Sequence, residues 1–221
     1  MKPVAFLFDN DGVLIDSSEL HWRSWQMLMQ DEPSLNMDKN AFEGSFGMRN
    51  DLILQRLAPH VSAEKRTVWA EKKERLFREI AKGTITLLPG MEAFLVQVVE
   101  AQIPHIIASS TPIANLELFI QTTVLGKYFD KYLSAEQVAH GKPAPDIFIA
   151  AAHHLGFDPK ECVVFEDAPA GIEAGRAAGC FVVALETTHS KEQLAHYDLI
   201  YPSAHALDLQ EILEAFNTSY H

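Results

Sequence analysis

Apolar positions along this chain follow two different rhythms. From about residue 88 onward, short unbroken apolar runs alternate with segments whose apolar residues recur every three or four positions. The runs at 103–108, 132–133, 162–165, Phe181–Leu185 and 199–200 are too short for helices, carry β-branched or aromatic members, and read as buried strands. Between them, Met91, Phe94, Leu95, Val98 and Val99 hold helical spacing, as do 145–155, ended by Gly156, and 170–178, ended by Gly179. Segments 190–196 and 207–216 continue the alternation as helices, and Thr111-Pro112 opens another, with threonine as cap and proline at the first helical position. A first strand, VAFLF, occupies residues 4–8. Strands alternating with helices predict an α/β fold, a Rossmann-like doubly wound parallel sheet with helices on both faces.

The rhythm breaks between residues 17 and 87. His21, Trp22, Trp25, Leu28 and Met29 repeat at helical spacing, Leu52 to Leu57 do likewise, and 63–82 is a long charged stretch interrupted by Val68, Trp69, Leu76, Phe77 and Ile80. These are helices with no strands between them. The expected organisation is a core of residues 1–16 and 88–221 with a helical cap, 17–87, inserted after the first strand; Leu88-Pro89-Gly90 marks the return to the core. The last residues, 217–221, are expected to fray.

Composition narrows the function. The 221 residues are 48% hydrophobic and 22% charged, ordinary for a globular protein with ample core. Net charge is -12, from 18 Lys and Arg against 30 Asp and Glu, and the basic residues are scattered, which argues against nucleic acid as a partner. No stretch approaches the roughly 18 apolar residues of a membrane span, so a cytoplasmic protein, monomeric or weakly homodimeric, is expected. Cys162 and Cys180 each adjoin an apolar run and read as buried free thiols, and no close Cys/His grouping suggests zinc.

In an open parallel sheet, ligands gather outside the carboxyl ends of the strands. The first strand is followed by Asp9-Asn10-Asp11-Gly12, the next by Ser109-Ser110-Thr111, and the 162–165 strand by Glu166-Asp167. Lys142 lies in Gly141-Lys142-Pro143-Ala144-Pro145, just ahead of a helix. Taken singly these are ordinary loop, cap and solvated residues. Their order places four acids, a hydroxyl cluster and one lysine at one rim. Carboxylates so close repel, a hard divalent cation relieves the repulsion, and Mg²⁺ pairs a few carboxylates with phosphate oxygens. Asp9 or Asp11 could then attack phosphorus while its neighbour, two residues away and pointing the same way, serves the departing oxygen.

The stretches 8–17 (FDNDGVLIDS), 107–112 (IASSTP), 141–146 (GKPAPD) and 164–179 (VFEDAPAGIEAGRAAG) together resemble the haloacid dehalogenase superfamily, in the helical-cap branch of β-phosphoglucomutase and small-metabolite phosphatases. The resemblance spans nearly the whole chain. It implies Asp9 as nucleophile and metal ligand, and Asp11 as general acid/base whose backbone carbonyl also meets the metal. It further implies that Ser109 and Lys142 hold the transferring phosphoryl group, that Asp167 binds Mg²⁺ directly, and that Glu166 does so directly or through water. The true dehalogenases lack the second aspartate, so Asp11 argues for phosphate chemistry.

Substrate contacts are expected from Ser110 and from His21, Arg49 and Lys73 of the cap. His21 reads equally well as a half-buried structural histidine, and Lys73, within Glu71-Lys72-Lys73-Glu74, as part of a solvated face. The β-phosphoglucomutase pattern has a lysine just before the cap-loop glycine, where this chain has Phe46. Loss of a cation there weakens the grip on a second phosphate. The expected activity is therefore a Mg²⁺-dependent phosphatase acting on a small phosphorylated metabolite through an aspartyl-phosphate. A phosphosugar mutase is the alternative, and a phosphoaccepting receiver-like domain the alternative of another class, though receivers are about half this length and carry no helical insert.

Overall fold

The computed structural model describes residues 3–219. Strand β1 (Ala5–Phe8) leads into four helices, α1 (Ser18–Asp31), α2 (Lys39–Glu43), α3 (Asn50–Leu57) and α4 (Ala63–Ala81). The chain then alternates: α5 (Met91–Glu100), β2 (His105–Ser109), α6 (Ile113–Thr122), β3 (Tyr132–Ser134), α7 (Asp146–Leu155), β4 (Cys162–Glu166), α8 (Pro169–Ala178), β5 (Phe181–Leu185), β6 (Leu199–Tyr201) and α9 (Leu209–Ser219). The six strands form one parallel sheet in the order β3-β2-β1-β4-β5-β6, with Phe8 opposite both Ile107 and Phe165.

Both faces of this sheet are dry, which is why its strands are apolar without alternation. Phe6 and Phe8 of β1 pack on one side with Phe94 and Phe165, while Ala5 and Leu7 face Phe148, Val164 and Ile172 on the other. Cys162 and Cys180 are buried free thiols. No described helix is long and apolar enough to cross a membrane.

The inserted helices have their own apolar cluster, including Trp25, Leu28, Phe42, Phe46, Ile53, Leu54 and Trp69. Helix α4 straddles the two regions, since its Trp69 belongs to that cluster and its Phe77 and Ala81 to the core beneath the sheet. The two connecting segments run side by side: Ile15 bridges Leu87, Asp16 N donates to Thr86 O at 3.1 Å, and Leu88 N to Leu14 O at 3.0 Å.

Several local expectations are corrected. Helix α6 starts at Ile113 with Pro112 as N-cap, because the Thr111 hydroxyl is drawn away to Asp11. Residues 190–196 form turns, not a helix. That segment buries one apolar side chain, Leu194, and His196 takes φ 64°, so little favours propagating a helical turn. Helix α2, unforeseen, is five residues long and rests on an Asp38 side chain accepting from Ala41 N at 2.7 Å. Residues 217–219 are the last turn of α9 rather than frayed, and 220–221 lie outside the described residues.

Helix α8 approaches the end of β4 so closely that a Cβ on Gly171 would fall 1.8 Å from Glu166 Oε1. Glu166 cannot step aside, because its carboxylate accepts from Lys142 at 2.5 Å and from the backbone amides of Asp167 and Ala168 at 3.0 and 3.2 Å. In an open helix Gly→Ala stabilises by about 0.5–1 kcal/mol. Here overpacking of roughly 1–3 kcal/mol wins. Gly171→Ala is expected to lower the melting temperature by several degrees in a calorimetric scan, and a rise in Tm would refute the close approach.

Candidate active site

The sheet order reverses direction at β1, whose neighbours β2 and β4 lead the chain away on opposite sides. Such a switch point opens a crevice at the strands' carboxyl ends. Past Phe8 the chain turns sharply: Asn10 O accepts from Leu14 N and Ile15 N at 2.9 and 3.0 Å, and Gly12 takes φ 78°. Glycine is required twice over at position 12, since a Cβ there would also lie 2.0 Å from Asp167 Oδ2. This turn sets Asp9 over the crevice beside the end of β4.

Asp9, Glu166 and Asp167 converge there, all buried, with one ligand oxygen from each lying within 4.8 Å of the others. Lys142, 1% exposed, donates to Asp9 Oδ1 at 2.7 Å and to Glu166 Oε1 at 2.5 Å. Burial alone would lower the Lys142 pKa, but the two carboxylates outweigh it and hold the ammonium charged. One cation does not balance three acids. Burial pushes Asp9 up to about 7, with Glu166 and Asp11 adding to the effect against Lys142. Burial, then Glu166 and Asp9, raise Asp167 well above its ordinary value. Thr188 Oγ1 donates to Asp167 Oδ2, while the buried Oδ1 makes no hydrogen bond among the described residues. Surplus negative charge, all-oxygen donors and an unpartnered carboxylate oxygen fit a hard divalent cation.

The Asp11 carboxylate stands outside that triad. It accepts from Ser17 Oγ at 2.5 Å, from Thr111 Oγ1, and from His21 Nε2 at 3.2 Å. Burial alone would raise its pKa; the nearby His21 and these hydrogen bonds reverse the sign and favour the ionised form. Behind His21 comes Lys73, with Nζ 2.6 Å from His21 Nδ1 and 2.8 Å from Glu74 Oε1. An ammonium only donates, so Nδ1 accepts and Nε2 is left to donate to Asp11. Lys73 is 1% exposed and lies against Trp25 and Phe77, so the solvated-face reading is wrong for it; its neighbour Lys72 does reach outward, to Asp31.

Asp9, Asp11, Ser109, Ser110, His21 and Lys73 line one chamber of about 50 Å³ between the core and the inserted helices. At that volume it has room for solvent and not for a sugar phosphate. Ser109 Oγ pairs with Thr111 Oγ1 at 2.9 Å, and the buried Ser110 Oγ makes no hydrogen bond among the described residues. Arg49 is not in the chamber. Its guanidinium forks onto Asp51 at 3.1 and 3.0 Å, reaches Ala135 O at 3.4 Å, and lines an outer cleft of about 470 Å³. Sequence reasoning missed Asn50 and Glu74, which line the chamber too, and counted Thr111 in the strand-end hydroxyl cluster without its bond to Asp11.

Comparison with known proteins agrees with this geometry. A family model described as haloacid dehalogenase-like hydrolase matches residues 4–179. The chain is 33% identical over 204 residues to hexitol phosphatase A of Escherichia coli (strain K12), covering 90% of this chain and 91% of that protein. It is 32% identical over 187 residues to the β-phosphoglucomutase of Bacillus subtilis (strain 168), covering 81% of each. The crystal structure of β-phosphoglucomutase from Clostridium difficile superposes with a TM-score of 0.85 over 96% of both chains, at 28% identity. An oxygen-lined acidic centre at the switch point, carried on a chain matched from Val4 to Gly179, therefore belongs to the haloacid dehalogenase-like hydrolase family.

Proposed function

We propose that this enzyme is a phosphatase for a small sugar or polyol monophosphate, working through an aspartyl-phosphate on Asp9. The observation that carries the reading is the pairing of a buried acidic triad with a second aspartate, Asp11, which shares a chamber with Asp9 and stands apart from Glu166 and Asp167. Asp9, Glu166 and Asp167 would hold Mg²⁺, which supplies neutralisation of phosphoryl charge when bound. Asp9 attacks phosphorus. Lys142 stays charged beside it and offsets the developing negative charge, while Ser109 donates to a phosphoryl oxygen. Asp11, which takes up a proton before His21 is seated on it, gives that proton to the leaving oxygen and then, ionised as the site with His21 in place favours, takes one from the water that hydrolyses the acyl phosphate.

Residues 17–87 act as a cap that opens at the paired connections near Ile15 and Leu87 to admit substrate, because the closed chamber cannot hold it. Closure excludes water during the first step. Phe46 sits in the chamber wall with its ring 5.9 Å from His21 and 5.7 Å from Phe42. Among the described residues, the chamber's one Lys or Arg is Lys73, already paired with Glu74. A second phosphate finds no unpaired cation there, which favours hydrolysis over the mutase reaction of the Bacillus relative.

Asp9→Asn is expected to leave less than about a tenth of wild-type phosphate release from sorbitol 6-phosphate or fructose 1-phosphate with Mg²⁺, about 1.4 kcal/mol or more of barrier. Retained turnover on any good substrate would remove Asp9 from its role. A second assay supplies β-glucose 1-phosphate with a trace of the 1,6-bisphosphate and follows glucose 6-phosphate beside free phosphate. Phosphate is expected to lead, and glucose 6-phosphate forming about tenfold faster, near 1.4 kcal/mol in favour of transfer, would make the enzyme a mutase despite Phe46.

A further inference from the structure

We propose that Asn115, a core residue lining neither the chamber nor the outer cleft, is a positioning residue that fixes where the cap comes to rest and so sets His21 on Asp11. The inference rests on Asp11 being the acid/base group.

Asn115 is fully buried near the start of α6, and α4 grips it from both ends of its amide. Arg78 Nη1 donates to Asn115 Oδ1 at 2.8 Å, and Asn115 Nδ2 donates to Glu74 Oε2 at 2.5 Å. Glu74 and Arg78 are four residues apart on α4 and therefore share a face. A guanidinium only donates and an ionised carboxylate only accepts, so one orientation of the amide satisfies both. An apolar contact between the same helices would hold them together in several registers. This one is met in a single register.

The far side of Glu74 carries the information inward. Its Oε1 accepts from Asn50 Nδ2 at 2.6 Å and from Lys73 Nζ at 2.8 Å, and Lys73 in turn reaches His21. Burial alone would raise Glu74, but Lys73, His21 and the hydrogen bonds hold it down at about 2. A buried carboxylate that keeps its charge needs its donors in place. When α4 lifts from α6, Oε2 loses Asn115, and the carboxylate is freed from the one position that aims Lys73 at His21 Nδ1. Seating α4 on Asn115 restores the line Asn115–Glu74–Lys73–His21–Asp11.

The hydrogen-bond pattern predicts a specific exchange. In Asn115→Asp a second carboxylate faces Glu74. In Glu74→Gln one of its two oxygens becomes a donor facing donors. Combined, Glu74→Gln with Asn115→Asp satisfies every partner again: Arg78 donates to one Asp oxygen, the Gln amide donates to the other, and the Gln carbonyl accepts from Lys73 and Asn50. Net charge is unchanged.

The test measures kcat, KM and Tm for both single variants and the double with sorbitol 6-phosphate and Mg²⁺. Each single change is expected to lower kcat at least about tenfold with KM within about threefold, and the double to return within about threefold of wild type. A double variant no better than the worse single, or Asn115→Asp turning over like wild type, would overturn the proposal. If a variant fails to fold, half-buried Arg78→Met decides: kcat about fivefold lower at nearly unchanged Tm supports it, and unchanged kcat refutes it. Wild-type protein inactive on every phosphate monoester would instead sink the phosphatase reading itself.

Discussion

The arrangement turns on surplus negative charge at the point where the sheet reverses. Asp9, Glu166 and Asp167 are brought together with a single lysine, and the fold around them is shaped to keep them there. Gly12 and Gly171 are bare where a side chain would strike Asp167 or Glu166, and backbone amides after β4 donate to Glu166. Left to themselves these acids would relax by taking up protons, which is the direction in which burial pushes Asp9 and Asp167. In the proposed function a divalent cation and a phosphoryl group together would restore the balance, the cation answering the carboxylates and Lys142 with the hydroxyls answering the phosphate. The same imbalance would make the centre selective for that pair of guests.

Asp11 solves a different problem two residues away. Its hydrogen-bond partners are neutral hydroxyls and a histidine, so its carboxylate is held down while that of Asp9 is pushed up. Two aspartates on one short turn thus meet different surroundings, one facing the acidic cluster and the other the inserted helices. The cap is part of this tuning, since His21 comes from α1. Under the proposed opening of the cap, Asp11 would keep Ser17 and Thr111 and lose His21.

Sequence made the core legible because its signals are local. Each strand end announces its own chemistry, and an apolar run stopping at Asp9 or at Glu166 needs no knowledge of the rest of the chain. Even Lys73 left a trace: it falls four residues after Trp69 and four before Phe77, on the buried stripe of α4, whereas Lys72 does not. Helical spacing weighed against that position is a better guide than the charge run around it. Residues 190–196 misled for the opposite reason, since a short stretch with one buried apolar side chain has too little packing to decide between turn and helix.

The parts that stayed hidden are those in which cap and core meet. Thr111 reads as a helix cap until Asp11 is placed beside it, and Glu74 reads as one more surface acid until α4 is laid on α6. Such residues carry no periodicity of their own, because their partners lie 41 to 100 positions away in the chain. The acidic centre is constrained by charge and by close backbone approach, so a substitution there disturbs the chemistry itself. The cap wall, with Phe46 where the mutase pattern has a cation and Arg49 turned out onto Asp51, can be altered one side chain at a time while the centre beneath it stays intact.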